Sequence, residues 1–296
     1  MKIVVFGSTG FVGRSLVTHL IEHNHSVILV NRSNHYHSHA KSIVVPSLFD
    51  SHLYHNELSS ADAVIYLSGL AHIDSKLNSD DLNLYLSNNY YPLAFVSHLS
   101  GTVGIKRFIY FSSSKVLGEY SPFGTKFSNY SNPNPVGSYS LSKYYSENFL
   151  RHLSSQYSTD FVILRPPLIY GPNAKGNISS LLRLFALNIP LPLSSLTKNR
   201  RSMISLHNLN RFISCILSHP VPINSSLLIS DNNDFSTVRF MKYIGTLYGK
   251  QPLLYPFPVF ILSFLFRLFK PSYYYSLISS FELDISHTCA LLNFKP

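Results

Sequence analysis

Apolar and polar positions along this chain fall into two alternating kinds of block. Ile3 to Phe6 is an unbroken apolar run stopped by Gly7, which predicts a strand buried on both faces. From Phe11 onward the apolar positions Phe11, Leu16, Leu20 and Ile21 share one side of a helix. Val27 to Val30 is a second apolar run, so the opening reads strand, glycine turn, helix, strand, a βαβ unit. Further apolar runs follow at 42–45, 63–67, 107–111 and 161–164, with helical spacing between most of them, notably over 82–104 and 138–157. This alternation predicts an α/β fold, a Rossmann-like doubly wound parallel sheet covered on both faces. A long loop over 119–137, rich in Ser, Pro, Gly and Asn, precedes the helix at 138–157.

One run departs from the scheme. LLYPFPVFILSFLFRLF, residues 253–269, is apolar on every helical face, yet it is too short, and too broken by Pro256, Pro258 and Arg267, to span a membrane. Burial in a smaller domain or at a subunit contact is the expectation, and peripheral membrane association through 253–269 is the alternative.

Composition narrows the class. With 296 residues, 45% hydrophobic and 13% charged, the chain is globular and long enough for a sizeable core. Two cysteines, Cys215 and Cys289, imply a reducing compartment and no disulfide framework, and the apolar run at 3–6 is too short for a signal peptide. A cytoplasmic location is expected. The net charge is +10, and its placement is informative: no Asp or Glu occurs from Phe161 to Ser230, where seven Lys and Arg residues fall. An anionic ligand suits that segment. No nucleic-acid-binding signature accompanies it, so a diphosphate-bearing small molecule is expected and nucleic acid is not. HYHSH at 35–39 offers alternating imidazoles, but it sits in an ordinary polar loop after the second strand, and no metal is expected.

Candidate chemistry enters at three places. Gly7, Gly10 and Gly13 lie at the first strand–helix junction, where glycine permits a tight turn and close approach of a pyrophosphate to the helix N-terminus. After the second strand an acid would accept the ribose 2′-hydroxyl of NAD. Asn31 and Arg32 stand there instead, with no acid from 23 through 49, which favours NADP(H) and leaves NAD(H) possible. Tyr139 and Lys143, four apart in YSLSKYY, share one helix face, and a neighbouring ammonium lowers a phenol's pKa toward useful acid–base work. With 20 tyrosines in the chain about one such pair arises by chance, so the pair gains meaning only from its company.

That company resembles a known family. GSTGFVG at 7–13, LSGLAH at 67–72, Asn89, FIYFSSSKVLGE at 108–119, YSLSK at 139–143 and RPPLIYGP at 165–172 are similar to the extended short-chain dehydrogenase/reductases, the NAD-dependent epimerase/dehydratase family. Within it, SSSKVLGE, RPPLIYGPNAKGN and NRRSMISLHNL resemble bacterial 4-keto-sugar reductases that form UDP-N-acetylquinovosamine or UDP-N-acetylfucosamine for surface polysaccharide (O-antigen). The resemblance implies a dinucleotide-binding domain over 1–165, with segments returning from the C-terminal half, and a smaller, mainly nucleotide-sugar-binding domain over 166–296. It implies catalytic Ser113, Tyr139 and Lys143, the lysine lowering the Tyr139 pKa and binding the nicotinamide ribose. The implied cofactor contacts there are Gly7, Thr9, Gly10, Phe11, Val12 and Gly13, with Gly7, Gly10 and Phe11 lining the pyrophosphate. Asn31, Arg32, Leu48, Leu67, Ser68, Gly69, Asn89 and Pro166 complete the implied cofactor site. Ser114, Asn177 and Arg201 are the implied contacts to a UDP-sugar substrate.

The implied reaction is NADP-dependent reduction of a C4 ketone, with Tyr139 protonating the developing alkoxide and Ser113 hydrogen-bonding it. Ser114 and Lys115 stand where 4,6-dehydratases carry an acid pair, which argues against dehydration. UDP-hexose 4-epimerization is the alternative enzyme, and a non-catalytic dinucleotide-sensing regulator the alternative of another class. A homodimer through the helices at 82–104 and 138–157 is implied by the resemblance.

Overall fold

The computed structural model describes residues 1–33, 37–71, 81–122, 124–174, 183, 185, 187–247, 249–269 and 274–296. Its centre is a parallel sheet of seven strands: β1 (Lys2–Phe6), β2 (Ser26–Asn31), β3 (Lys41–Val44), β4 (Ala63–Tyr66), β5 (Arg107–Phe111), β6 (Asp160–Arg165) and β9 (Ser226–Leu228). They lie in the order β3-β2-β1-β4-β5-β6-β9. The apolar runs are central strands because successive side chains bury on opposite faces. Ile3 and Val5 enter one core cluster and Val4 and Phe6 the other; Ile109 and Phe108 divide in the same way.

Helix α1 (Phe11–Glu22) and the later helix Leu206–Ser218 pack together on the first face. Asn210 Nδ2 donates to Ser15 Oγ at 2.9 Å, and His19 meets Ser214 Oγ at 2.8 Å. The other face is covered by α4 (Tyr91–Thr102) and α5 (Gly137–Leu153), which pack on each other. The helical stretch expected over 82–104 is interrupted by a π turn at Leu86–Tyr90, and the one expected over 138–157 ends at Leu153.

After β6 the chain pairs β7 (Leu168–Tyr170) with β8 (Met203–Ser205) in a separate two-stranded sheet, and then returns to the main sheet through β9. Two small clusters form the remaining core: Phe185, Leu191, Leu193, Leu196, Val238, Met241 and Leu277 in one, Ala174, Met203, Phe235, Phe240 and Ile244 in the other. The loop at 119–137 is tied to this part of the molecule, Ser121 N–H donating to Ser280 O and Phe127 N–H to Glu282 O, both at 2.9 Å.

The apolar 253–269 run is covered on one side only by the rest of the chain. It yields a helix, Val259–Phe269, in which Leu262 is buried while Phe260, Phe264, Leu268 and Phe269 are exposed. Its inner side packs on a core too small to cover the rest. Among the described residues no helix is long and apolar enough to cross a membrane.

The amino ends of β5 and β6 are locked by a buried ion pair. Arg107 Nε sits 2.6 Å from Asp160 Oδ2, while the rest of the guanidinium donates to the carbonyls of Ile216, His219 and Val221. The other Asp160 oxygen accepts the N–H groups of Ile223 and Asn224. Asp160→Ala leaves a buried cation without its anion and should cost about 3–5 kcal/mol in urea unfolding. Dinucleotide affinity should hold, since Gly7 and its neighbours lie at the opposite, carboxyl end of the sheet.

Candidate active site

The strand order reverses beside β1, between β2 on one side and β4 on the other, so the crevice lies beyond the carboxyl ends of these strands. Gly7 follows β1 with φ +85°, and its N–H donates to Val30 O at 3.4 Å. A Cβ on Gly7 would stand 2.7 Å from Ser68 N, and one on Gly13 would stand 2.5 Å from Gly7 O. Those two positions therefore need glycine for close backbone packing. Gly10 is different: a Cβ there meets only Gly7 O, at 3.5 Å, so the third glycine leaves open space over the helix start.

Gly10 is the N-cap of α1, without a side-chain cap, and the first turn carries no acid. The free N–H groups at Phe11 to Gly13 and the helix dipole form an uncompensated anion cradle, which fits a pyrophosphate. Val12 packs against the core and Thr9 O accepts from Arg14 Nε, so both shape the cradle from below.

Asn31 ends β2 buried, its Oδ1 accepting from Ser8 N at 3.1 Å and Ser8 Oγ at 2.9 Å. It thus braces the glycine turn, and Arg32 is the exposed side chain at this strand end. Leu48 lies in the core with Phe6 and Val30, its carbonyl taken by the Tyr54 hydroxyl, so it is a packing residue of the crevice floor.

Beyond β4, Leu67 continues the ladder through its N–H to Phe6 O at 2.9 Å. A Cβ on Gly69 would stand 2.9 Å from Asn89 Oδ1 and 3.5 Å from Lys143 Nζ. Asn89, buried in the π turn, accepts from Leu70 N at 2.6 Å and donates to Leu70 O at 3.1 Å and to Ser142 Oγ at 3.0 Å. The turn aims this one side chain inward and clamps the 67–70 loop to α5. Gly7, Ser68, Gly69, Asn89 and Lys143 are therefore brought together.

Ser113 follows β5. Ser112 N–H donates to Leu164 O at 2.8 Å and Ser114 N–H to Pro166 O at 3.0 Å, so ladder-like bonds on either side fix it. Its hydroxyl accepts from Lys115 N at 3.2 Å, and it faces the Tyr139 phenol closely enough to oppose the upward shift of that phenol's pKa. Tyr139, on the first turn of α5, rests edge-on against Tyr85, the ring centres 5.9 Å apart. Lys143, 6% exposed, donates to Phe111 O at 2.8 Å and lies 4.9 Å from the Tyr110 ring centre.

The electrostatics differ from the sequence expectation. Burial pushes the Tyr139 phenol up to about 12, with Ser113 opposing and Tyr85 assisting, and Lys143 does not pull it down. Its ammonium is turned to the Phe111 carbonyl, and burial draws Lys143 down to about 8, with Glu147 opposing.

Ser114 is buried beside Ser113. Arg201 donates to the carbonyls of Tyr275 and Ser279 and stacks on Phe281, while its Nε has no partner. Burial draws this guanidinium down to about 10, with Glu119 opposing. A desolvated cation held by carbonyls, with a donor to spare, suits an incoming phosphate. Asn177 and His72 lie outside the described residues, as do residues 35 and 36 of the HYHSH stretch. Among the described residues no group of three or more His, Cys, Asp or Glu could hold a metal.

Glu147 is the site residue that sequence reasoning missed. Wholly buried, it accepts from Ser112 Oγ at 2.6 Å, Arg165 at 2.9 and 2.6 Å, and Arg151 at 2.7 Å. It ties α5 to β5 and β6 directly beneath Ser113 and Lys143. The signal was present: Glu147 continues the four-residue spacing of Tyr139 and Lys143 on one helix face.

A model of the NAD dependent epimerase/dehydratase family matches residues 3–227. A UDP-glucose 4-epimerase of Vibrio cholerae is 32% identical over 302 residues, covering 100% of this chain and 90% of that protein. Among solved structures, UDP-glucuronic acid 4-epimerase from Bacillus cereus, in complex with NAD, superposes with TM-score 0.79 at 18% identity, covering 100% of this chain and 94% of that one. The Bordetella bronchiseptica enzyme WbmG, in complex with NAD and UDP, gives 0.76 at 17%, covering 100% and 88%. These neighbours share the fold of the seven-stranded sheet described above. The full-length relative and the family match together make this chain a member of the NAD dependent epimerase/dehydratase family.

Proposed function

We propose that the protein reduces the C4 ketone of a UDP-linked 2-acetamido-2,6-dideoxy-hexos-4-ulose with NADPH, in the synthesis of surface-polysaccharide sugars. The observation that carries this reading is a buried Tyr139 phenol, opposed by Ser113 and held protonated near neutrality, on the same helix as the buried Lys143. The Vibrio cholerae relative is named for a UDP-sugar, and the Bordetella neighbour is complexed with NAD and UDP, which supports the substrate and cofactor classes.

The bound nicotinamide would supply hydride. The chain's own groups do the rest. Tyr139 gives its proton to the C4 oxygen as negative charge develops, and Ser113 donates a hydrogen bond to the same oxygen. Ketone, NADPH and one proton thus become alcohol and NADP⁺. Lys143, an ammonium with donors to spare, holds the ribose hydroxyls. The cradle at Gly10 takes the cofactor pyrophosphate, and Arg201 takes the diphosphate of the sugar nucleotide. In this reading residues 1–165, with the returning segments, bind the cofactor and 166–296 mainly bind the sugar nucleotide. The homodimer would use α4 and α5, where Tyr91 and Tyr145 are exposed.

Arg32 supports NADP, since it is exposed at the end of β2 while Asn31 is committed to Ser8. Arg32→Asp should shift the ratio of kcat/KM values from NADPH toward NADH by about 10- to 100-fold, the worth of one charge-assisted hydrogen bond. An unchanged ratio would remove Arg32 from the cofactor site.

UDP-hexose 4-epimerization is the second reading, favoured by the name of the 32% identical relative. It begins with proton removal by Tyr139, which a phenol raised to about 12 opposes until an oxidised, positively charged nicotinamide is bound. Incubation with UDP-4-keto-6-deoxy-N-acetylglucosamine and NADPH, and separately with UDP-hexoses alone, separates the readings. Stoichiometric NADPH loss means reductase. UDP-hexose interconversion without added reductant means epimerase, and silence in both supports a dinucleotide sensor.

A further inference from the structure

The helix Val259–Phe269 has two apolar arcs, and only one is used. Leu262 and Phe266, four apart, face inward, Phe266 packing on the cluster that contains Leu191, Met241 and Leu277. The opposite arc shows Phe260, Phe264, Leu265 and Leu268 at 75%, 66%, 37% and 61% exposure. An outward arc of a globular protein normally carries charge; here Arg267 alone interrupts the hydrocarbon. Leu253 and Tyr255, which precede the helix in sequence, are also exposed and are held to Leu191 by main-chain hydrogen bonds of 2.9 and 3.1 Å. A contiguous exposed apolar face of this kind marks an interaction surface.

Charge identifies the occupant. From Phe235 to Phe281 the chain has no Asp or Glu, while Arg239, Lys242, Lys250, Arg267 and Lys270 fall within it. Arg239 and Lys242 are exposed on the helix Thr237–Leu247, whose Val238 and Met241 enter the same core cluster. Arg267 is partnered by the neutral Tyr274, its guanidinium 4.3 Å from that ring centre. We propose that this face docks on an anionic lipid bilayer, with Val259–Phe269 lying in the plane of the interface. Phe260, Phe264 and Leu268 enter the acyl region while the flanking cations meet lipid headgroups. A second copy of the chain is the poorer occupant. A two-fold contact would set this acid-free cationic segment against itself, in a protein that already carries a net charge of +10.

The test is flotation of the full-length protein with vesicles of phosphatidylcholine, with and without phosphatidylglycerol. The protein should rise with the anionic vesicles and bind the neutral ones at least about tenfold more weakly. Phe264→Asp/Leu268→Asp should cut anionic-vesicle binding by at least about tenfold. Arg239→Glu/Lys242→Glu should do the same, and added salt should weaken the wild type. An unchanged thermal midpoint shows each variant folded; none of these residues belongs to the catalytic or nucleotide site. Failure to float with either vesicle, equal binding to both, or flotation indifferent to both double variants would overturn the proposal. So would a wild type that ignores vesicles and sediments as a dimer that Phe264→Asp/Leu268→Asp converts to monomer, which would assign the face to a second copy.

Discussion

Tyr139→Phe should lower kcat for the keto sugar by about a thousandfold while leaving dinucleotide affinity and thermal stability close to wild type. The substitution removes one oxygen and keeps the ring that rests against Tyr85, so the first turn of α5 stays packed. On the proposed mechanism, what disappears is the proton donor to the reacting oxygen. Ser113 remains as a hydrogen-bond donor but cannot give up a proton cheaply enough to replace a phenol. The loss should fall on kcat and kcat/KM together, because the phenol acts where charge appears in the transition state. Steady-state kinetics beside a cofactor titration checks it. Wild-type turnover by the phenylalanine variant would remove Tyr139 from the chemistry altogether.

Lys143→Met should reduce kcat/KM by about 100- to 1000-fold, yet leave stability at pH 7 undiminished. The two effects have one cause. Lys143 is buried, and its pKa is drawn from 10.5 down to about 8, so its charge is carried at a cost to the fold. Between about pH 8 and 10.5 the unfolded chain holds a proton at this position that the folded chain has released. The contribution of Lys143 to stability therefore rises with pH through that window, by up to about 3 kcal/mol in total. The methionine variant lacks this rise, so the two proteins should differ most clearly in the slope of urea-unfolding free energy between pH 8 and 10. Activity runs the other way, since the ammonium is the working form and wild-type kcat/KM should decline above about pH 8. Parallel slopes for wild type and variant would contradict the burial account.

The sheet was legible in the sequence because its strands are covered on both faces and read as uninterrupted apolar runs. The glycine turn was legible because Gly7 and Gly13 admit no side chain and Gly10 leaves space for an anion. The Tyr139–Lys143 spacing placed both residues on α5, as the structure has them, but did not record the electrostatics there. Depth of burial and the turn of Lys143 toward Phe111 O depend on how α5 meets β5, which no local pattern records. The engagement of Asn31 with Ser8, 23 residues away, is a tertiary contact that the position of Asn31 at the end of β2 does not announce. A single carboxylate in a helix ordinarily faces water, and the burial of Glu147 becomes tolerable only through partners such as Ser112 on the way out of β5 and Arg165 on β6, which its helix does not announce. Hydrophobicity alone marked the 253–269 run as needing cover but not what supplies it, since the chain's own core takes only the Leu262–Phe266 side of the helix.

The most direct measurement follows deuterium from cofactor to sugar. UDP-4-keto-6-deoxy-N-acetylglucosamine is incubated with the protein and each C4-deuterated epimer of NADPH in turn, and the sugar is read by NMR. One epimer should place a single deuterium at C4 of the product, matched mole for mole by oxidised cofactor and abolished in Tyr139→Phe. Sugar recovered without deuterium, or a C4 alcohol formed while the labelled NADPH stays intact, would contradict the account.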